Sequence, residues 1–260
     1  MMAKTMAGML EIKEVSKYFG GLGAVKEVTI AVQKDELLSV IGPNGSGKTT
    51  LFNLITGVYE VSNGSIHFEG EPIHNHNPTT IAERGIARTF QNIKLFHTLS
   101  VLENVLVASY CHGHPKPWAH IFGIPKGVER EKELRQKSLQ LIEFVGLGNR
   151  QGDIAKNLAY GDQKKLEIAR ALAVKPKLLL LDEPVGGLNP AEKNEVIDLI
   201  RRIHQEGITV LLIEHDMKVV MNVSKRIIVL NFGEIIGEGS PEEIKINPAV
   251  IEAYLGPDLG

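Results

Sequence analysis

The stretch Gly42-Pro43-Asn44-Gly45-Ser46-Gly47-Lys48-Thr49-Thr50 leaves this chain few choices of fold. It follows the pattern G-x-x-x-x-G-K-[ST], with Gly42, Gly47, Lys48 and Thr49 at the defining positions. The apolar run Leu37-Leu38-Ser39-Val40-Ile41 before it reads as a buried strand, and Thr50 to Thr56 after it as a short helix stopped by Gly57. Strand, glycine loop and helix in that order make a phosphate cradle. The glycines turn successive backbone N–H groups toward one centre, and the helix start adds partial positive charge. Lys48 is placed to reach the β- and γ-phosphates of a nucleotide, and the Thr49 hydroxyl to hold Mg2+.

A nucleotide with Mg2+ also needs a hard carboxylate at a strand end near the phosphates. Leu178-Leu179-Leu180-Leu181 is a continuous apolar run of the kind found in central parallel strands, and Asp182-Glu183-Pro184 ends it. Asp182 suits the metal. Glu183 is left for an attacking water, as general base or positioner.

The remaining segments are read around these two. Leu10 to Val15, Val28 to Val32, Ile66 to Glu69, Ile208 to Ile213, Arg226 to Leu230 and Ile235-Ile236 read as strands, the last two as a hairpin around Asn231-Phe232-Gly233. Tyr18-Phe19-Gly20-Gly21 reads as a turn. Helices are expected from Asn77-Pro78 to before Gly85, from Ser100 (with Glu103 as a capping box) to about Ser109, and from Glu129 to Val145. Others are expected from Gln163 to Val174, from Ala191 to His204, and after Ser240-Pro241-Glu242-Glu243. Cys111 to Gly127 reads as irregular, broken by Gly and Pro. Its Cys111, His112, His114 and His120 match no metal-ligand spacing, and Trp118 is either a contact residue or local packing.

Composition excludes several functions. A net charge of −2 provides no basic field of the kind nucleic acid requires. The single cysteine rules out an intramolecular disulfide. Met1 to Leu10 hold no long apolar run, so no secretory signal is expected, and no run approaches the ~20 residues of a membrane-spanning helix. Any work at a membrane would need another chain as anchor.

One more motif narrows the reading. Leu158-Ala159-Tyr160-Gly161-Asp162-Gln163 lies upstream of Asp182, joined to its strand by one helix. Here the chain resembles the ATP-binding cassette (ABC) ATPases, whose signature reads L-S-G-G-Q at this distance before such a strand. The resemblance runs from about Leu10 to Gly256, with Phe19 at the A-loop, Gln91 at the Q-loop, Gly187-Leu188-Asn189 at the D-loop and His215 at the H-loop. It implies an α/β P-loop NTPase core, a mostly parallel sheet flanked by helices, with an N-terminal antiparallel β subdomain and an inserted α-helical subdomain. Residues 8–260 would form one ABC ATPase domain. Within it 10–92 and 160–240 would be the core plus β subdomain, 93–159 the helical subdomain and 240–260 a C-terminal helical extension.

The resemblance also implies roles. Phe19 would stack on adenine. Asn44, Gly45, Ser46, Gly47, Lys48, Thr49 and Thr50 would hold the ATP phosphates. Thr49, Gln91 and Asp182 would hold Mg2+, Glu183 would activate water, His215 would contact the γ-phosphate, and Lys48 and Gln91 would complete the catalytic set. The signature, Leu158 to Gln163, would close over the nucleotide of a second ATPase subunit or second copy. Gln91 would sense a membrane subunit. An isolated chain would then bind ATP yet turn it over slowly.

Within the family, Asn157 to Gln163, Arg88-Thr89-Phe90-Gln91 and the ending Asn247-Pro248 to Gly256 resemble the ATPase subunit of importers for branched-chain amino acids, the one termed the G subunit. That resemblance implies two membrane permeases, an extracytoplasmic substrate-binding protein, uptake of leucine, isoleucine or valine, and a peripheral position on the cytoplasmic face of the inner membrane. Importers of urea, amides or other amino acids, lipopolysaccharide export and a non-transport single-cassette assembly factor are the alternatives. The signature departs from the family pattern at Ala159, Tyr160 and Asp162. Ala159 has no hydroxyl for a γ-phosphate and Asp162 adds negative charge at a phosphate-facing helix start, so a weaker site is expected there.

Overall fold

The computed structural model describes residues 8–110 and 125–255; the segment from Cys111 to His120, with its four candidate ligands and Trp118, lies outside them. Two sheets organise the described residues. The first is antiparallel, order β2-β1-β4-β5, built from β1 (Leu10–Phe19), β2 (Leu22–Val32), β4 (Asn63–Phe68) and β5 (Glu71–Pro72). The second has order β10-β9-β3-β8-β7-β6, from β3 (Leu37–Ile41), β6 (Ile86–Arg88), β7 (Leu178–Asp182), β8 (Thr209–Ile213), β9 (Arg226–Asn231) and β10 (Glu234–Gly239). All its neighbouring strands run parallel except β10 on β9.

The four leucines of β7 show why the central strands lack hydrophobic alternation. Successive side chains point to opposite faces. Leu178 and Leu180 enter the core shared with the antiparallel sheet and α1 (Lys48–Ile55), while Leu179 and Leu181 enter the core under the helices on the other face. Every residue of β3, β7 and β8 is buried.

The helices on that second face are α3 (Val101–Tyr110), α4 (Pro125–Phe144), α5 (Tyr160–Ala173) and α6 (Pro190–Gln205). Val101, Val105, Ile142 and Leu166 bring the first three of them into one cluster with β7 and β8. The short α2 (Pro78–Glu83) is capped by Asn77, whose side chain accepts from the Thr80 amide. The C-terminal segment packs on the far edge of the second sheet, through Ile244 and Val250 against Ile41, Ile227 and Val229.

Several boundaries differ from the sequence expectation. β1 runs on to Phe19 and β2 starts at Leu22, so Gly20, in the left-handed region at φ 58°, and Gly21 alone make the turn. α4 begins at Pro125, inside the stretch expected to be irregular, because proline is compatible with a helix's first turn. α5 begins at Tyr160 rather than Gln163, so most of the signature is helix start. The expected single C-terminal helix is two, α8 (Pro241–Ile246) and α9 (Pro248–Leu255), divided at Asn247 before a proline. A further helix, α7 (Met217–Val223), is capped by the Asp216 side chain on the Lys218 amide.

Candidate functional site

The glycine loop leaves the buried end of β3 and is shaped by close approach to its neighbours. Gly47 sits at φ 106°, and a Cβ there would lie 2.4 Å from the Ala24 carbonyl oxygen. A Cβ at Gly42 would lie 2.1 Å from the Leu230 carbonyl oxygen. Strand β2 and the end of β9 therefore grip the loop at glycines only. The hairpin between β9 and β10 braces it further, since the Gly233 amide donates to the Ser46 carbonyl at 3.0 Å.

The start of α1 is open to an anion. Its N-cap, Gly47, has no capping side chain, and no acidic residue occupies the first turn. The first-turn N–H groups and the helix dipole are left for a ligand. Ser46 is buried, Thr50 half-buried, and Asn44, Gly45 and Thr49 are exposed. Lys48 is buried and folds back over the loop, donating to the carbonyl oxygens of Gly42 at 2.7 Å and Pro43 at 2.9 Å. Burial lowers its pKa, against the opposing pull of Glu183 and Asp182.

Asp182 ends β7 fully buried. Arg88 donates to its Oδ2 at 2.7 Å, and its Oδ1 is buried with no hydrogen-bond partner among the described residues. That bare oxygen at a strand end fits a Mg2+ ligand. Among the described residues no cluster of three or more His, Cys, Asp or Glu could hold a metal by itself. A Mg2+ held by one carboxylate, one hydroxyl and nucleotide phosphates needs no such cluster.

Glu183 follows with φ 48°, a left-handed conformation uncommon for a non-glycine residue. Its Oε2 accepts from Gln91 Nε2 at 3.0 Å, and His215 Nδ1 stands 3.6 Å from the same oxygen. Three side chains from three loops after β6, β7 and β8 thus meet at one atom, on the carboxyl edge of the parallel sheet. Gln91 and His215 are exposed, and Glu183 between them is the more enclosed.

Four buried charged residues that motif reading did not assign hold this arrangement. Glu167 Oε1, on α5, accepts from the Phe90 and Lys94 amides, each at 3.2 Å, and so closes the segment that carries Gln91. Lys164, one turn earlier, donates to the carbonyls of Gln91 at 3.2 Å and Glu183 at 3.4 Å. Glu214 accepts from the amides of Val185 and His215 at 3.1 Å and Asp216 at 3.4 Å, tying the loop after β7 to the loop after β8. Burial raises the pKa of Glu167 and Glu214, and lowers that of Lys164. The fourth is Arg88. Helical spacing placed Lys164 and Glu167 on one face of α5, but only packing shows that this face is the buried one.

The remaining expected residues lie elsewhere. Phe19 is 44% exposed and meets Tyr59 edge-on at 5.2 Å. Leu158 is buried, and Ala159 is the N-cap of α5 without a capping side chain. The Tyr160 ring lies against Gly187, where an added Cβ would be 3.1 Å away, and Gly161 packs on Glu192. Asp162 pairs with Arg150 and Lys165, each at 3.4 Å. Its charge, which the sequence left to the helix dipole, is thus also met by two cations. Gln163 Nε2 turns back to the Leu158 carbonyl at 3.0 Å. The signature therefore packs on this chain's own D-loop region.

A loop open to phosphate, an orphaned carboxylate oxygen and a glutamate held by Gln91 lie together at the carboxyl edge of the parallel sheet, and the family profile described as ABC transporter matches residues 25–186. The chain belongs to the ABC transporter family. It is similar to the high-affinity branched-chain amino acid transport ATP-binding proteins BraF of Pseudomonas aeruginosa, 43% identical over 95% of this chain and 98% of that protein, and LivG of Escherichia coli K12, 41% identical with the same coverage. A second profile, described as branched-chain amino acid ATP-binding cassette transporter, matches residues 234–256. Among solved structures, a nucleotide-free cassette from an ABC transporter superposes with TM-score 0.83 at 35% identity, covering 96% of this chain and 99% of its own. A cassette in its ADP conformation gives 0.84 at 35% identity, covering 97% and 100%.

As an ABC ATPase the chain binds ATP and hydrolyses it to ADP and phosphate. Among the described residues no helix is long and apolar enough to cross a membrane.

Proposed function

We propose that this chain is an ATPase subunit of an importer of branched-chain amino acids, and that Glu183 is its general base. The observation that carries the catalytic reading is the meeting of Gln91 and His215 at one oxygen of Glu183. A carboxylate held by Gln91, with His215 beside the same oxygen, is positioned for water attack, and phosphoryl transfer depends on such positioning and on charge neutralisation. Lys48 and the loop amides from Asn44 to Thr50 hold the phosphates. Thr49, Gln91 and Asp182 hold Mg2+, which when bound neutralises phosphate charge. His215 contacts the γ-phosphate, and Phe19, exposed beside Tyr59, stacks on adenine.

The signature, Leu158 to Gln163, serves a second ATPase subunit or a second copy. Its exposed residues Ala159 and Tyr160 support this reading. Residues 10–92 with 160–240 act as the nucleotide-binding body, 93–159 as a helical lobe that meets a permease, and 240–260 as an extension. The cargo reading is supported by the profile match at 234–256 and by what BraF and LivG are named for. Two permeases and an extracytoplasmic binding protein complete the complex, with this chain peripheral on the cytoplasmic face.

The test is reconstitution with the two permeases in vesicles. Leucine, isoleucine or valine uptake should follow ATP addition, and Glu183→Gln should bind ATP normally while turnover falls by ~10²–10⁴-fold. Unchanged turnover refutes the base assignment. Uptake of urea or amides in place of these amino acids refutes the cargo.

A further inference from the structure

Arg88 has no part in the chemistry above, yet both of its terminal nitrogens are held. Its Nη1 donates to Asn53 Oδ1 at 2.6 Å and Thr56 at 3.4 Å, at the far end of α1. Its Nη2 donates to Asp182 Oδ2 at 2.7 Å. The rings of Phe52 and Phe90 lie 5.4 and 5.1 Å from its guanidinium carbon. The pair is almost dry, with side-chain exposures of 5% for Arg88 and 2% for Asp182. Among the described residues two atoms stay unpartnered in this dry space, Arg88 Nε and Asp182 Oδ1.

Such an ion pair is costly to desolvate, and a hydrophobic pair of similar size is often as stable. Fold stability alone is a poor account of it. We propose that Arg88 is a positioning residue for the metal step: a standing counter-ion that holds the Asp182 carboxylate by one oxygen and leaves the other bare for Mg2+. Through Asn53 and Thr56 it also locks β7 to the helix of the phosphate loop, and so sets the spacing between loop and carboxylate. Without it, Asp182 is a buried anion with no cation bonded to it, only the fields of Lys48 and Lys164 around it, and a divalent ion bound at the carboxylate would satisfy it far better. Arg88 therefore keeps the nucleotide-free protein from taking up Mg2+ before ATP arrives. This rests on the reading that Asp182 holds Mg2+.

The test uses the full chain without nucleotide. Thermal midpoints are measured for wild type, Arg88→Met, Asp182→Asn and the double variant during Mn2+ titration, with bound Mn2+ followed by electron paramagnetic resonance. Arg88→Met should have a lowered midpoint that Mn2+ restores, with Mn2+ affinity at least about tenfold above wild type once the guanidinium's repulsion is gone. The double variant should not respond to Mn2+. Equal Mn2+ affinity in wild type and Arg88→Met overturns the proposal.

Where Arg88→Met does not fold, the single and double Asp182 variants decide. Asp182→Asn strands the guanidinium, so adding Arg88→Met to it should raise the midpoint. A further fall overturns the counter-ion role. Separately, if Asp182→Asn leaves the Mg2+ dependence of ATP binding intact, the metal reading fails, while the nucleotide-free comparison still judges the pairing.

Discussion

Glu167 offers the sharpest test of how the Gln91 segment is held. The residue is 5% exposed, and one carboxylate oxygen, Oε1, accepts from both the Phe90 and Lys94 amides. Replacing it with leucine leaves two partly buried N–H groups without an acceptor. Each unsatisfied group costs about 1–3 kcal/mol, so Glu167→Leu should destabilise the protein by about 2–6 kcal/mol. Glu167→Gln keeps a carbonyl oxygen where Oε1 stood and should cost less than about 1 kcal/mol. Urea denaturation measures both. Amide hydrogen exchange supplies the local readout: the Phe90 and Lys94 amides should exchange faster in Glu167→Leu and at the wild-type rate in Glu167→Gln. With Gln91 loosened, turnover should fall in Glu167→Leu while ATP affinity holds. Equal destabilisation by Leu and Gln, or unchanged exchange in the leucine variant, would refute the reasoning.

The same residue predicts a pH effect. Burial lifts the Glu167 pKa above its ordinary 4.5, so the folded chain holds that proton more tightly than the unfolded one. Its stabilising contribution is present below 4.5 and is lost as pH rises through the raised value, so Glu167→Gln should gain on wild type over that window, as denaturation at several pH values can show. Gly47→Ala places a Cβ 2.4 Å from the Ala24 carbonyl, so ATP-analogue binding should weaken by at least about tenfold, and retained affinity would contradict the loop geometry. Ala159→Ser adds a side-chain cap to α5, which has none, and should stabilise by about 0.5–2 kcal/mol in thermal unfolding. If the signature serves a weaker site, ATPase in the assembled complex should also rise. Asp162→Gln removes one partner each of Arg150 and Lys165, which keep Asp153 and Glu195, so the thermal midpoint should change little, and a large fall would contradict this reading of the pairs.

Legibility in the sequence followed locality. The loop from Gly42 to Thr50 was readable because glycine spacing encodes backbone conformation directly. β7 was readable because a strand buried on both faces needs apolar residues at every position. The Asn189-Pro190 pair and the capping box at Ser240 placed helix starts correctly. α7 was missed because a seven-residue helix has too few turns to show a period, although Asp216 before Met217 was its cap. Pro125 was read as a breaker because proline interrupts helices everywhere but in the first turn.

The sequence by itself determined the phosphate loop, the acidic end of β7, the order of the motifs and hence the family. Each depends on neighbours in the chain. Tertiary structure alone decided that Gln91, Glu183 and His215 meet at one oxygen, that Asp182 shares its charge with Arg88, and that Lys164, Glu167 and Glu214 work out of contact with water. Gln91 and Glu183 lie 92 residues apart in the chain. Whether distant charges pair, and whether a carboxyl keeps its proton, depends on what the fold packs around them and how much water it excludes.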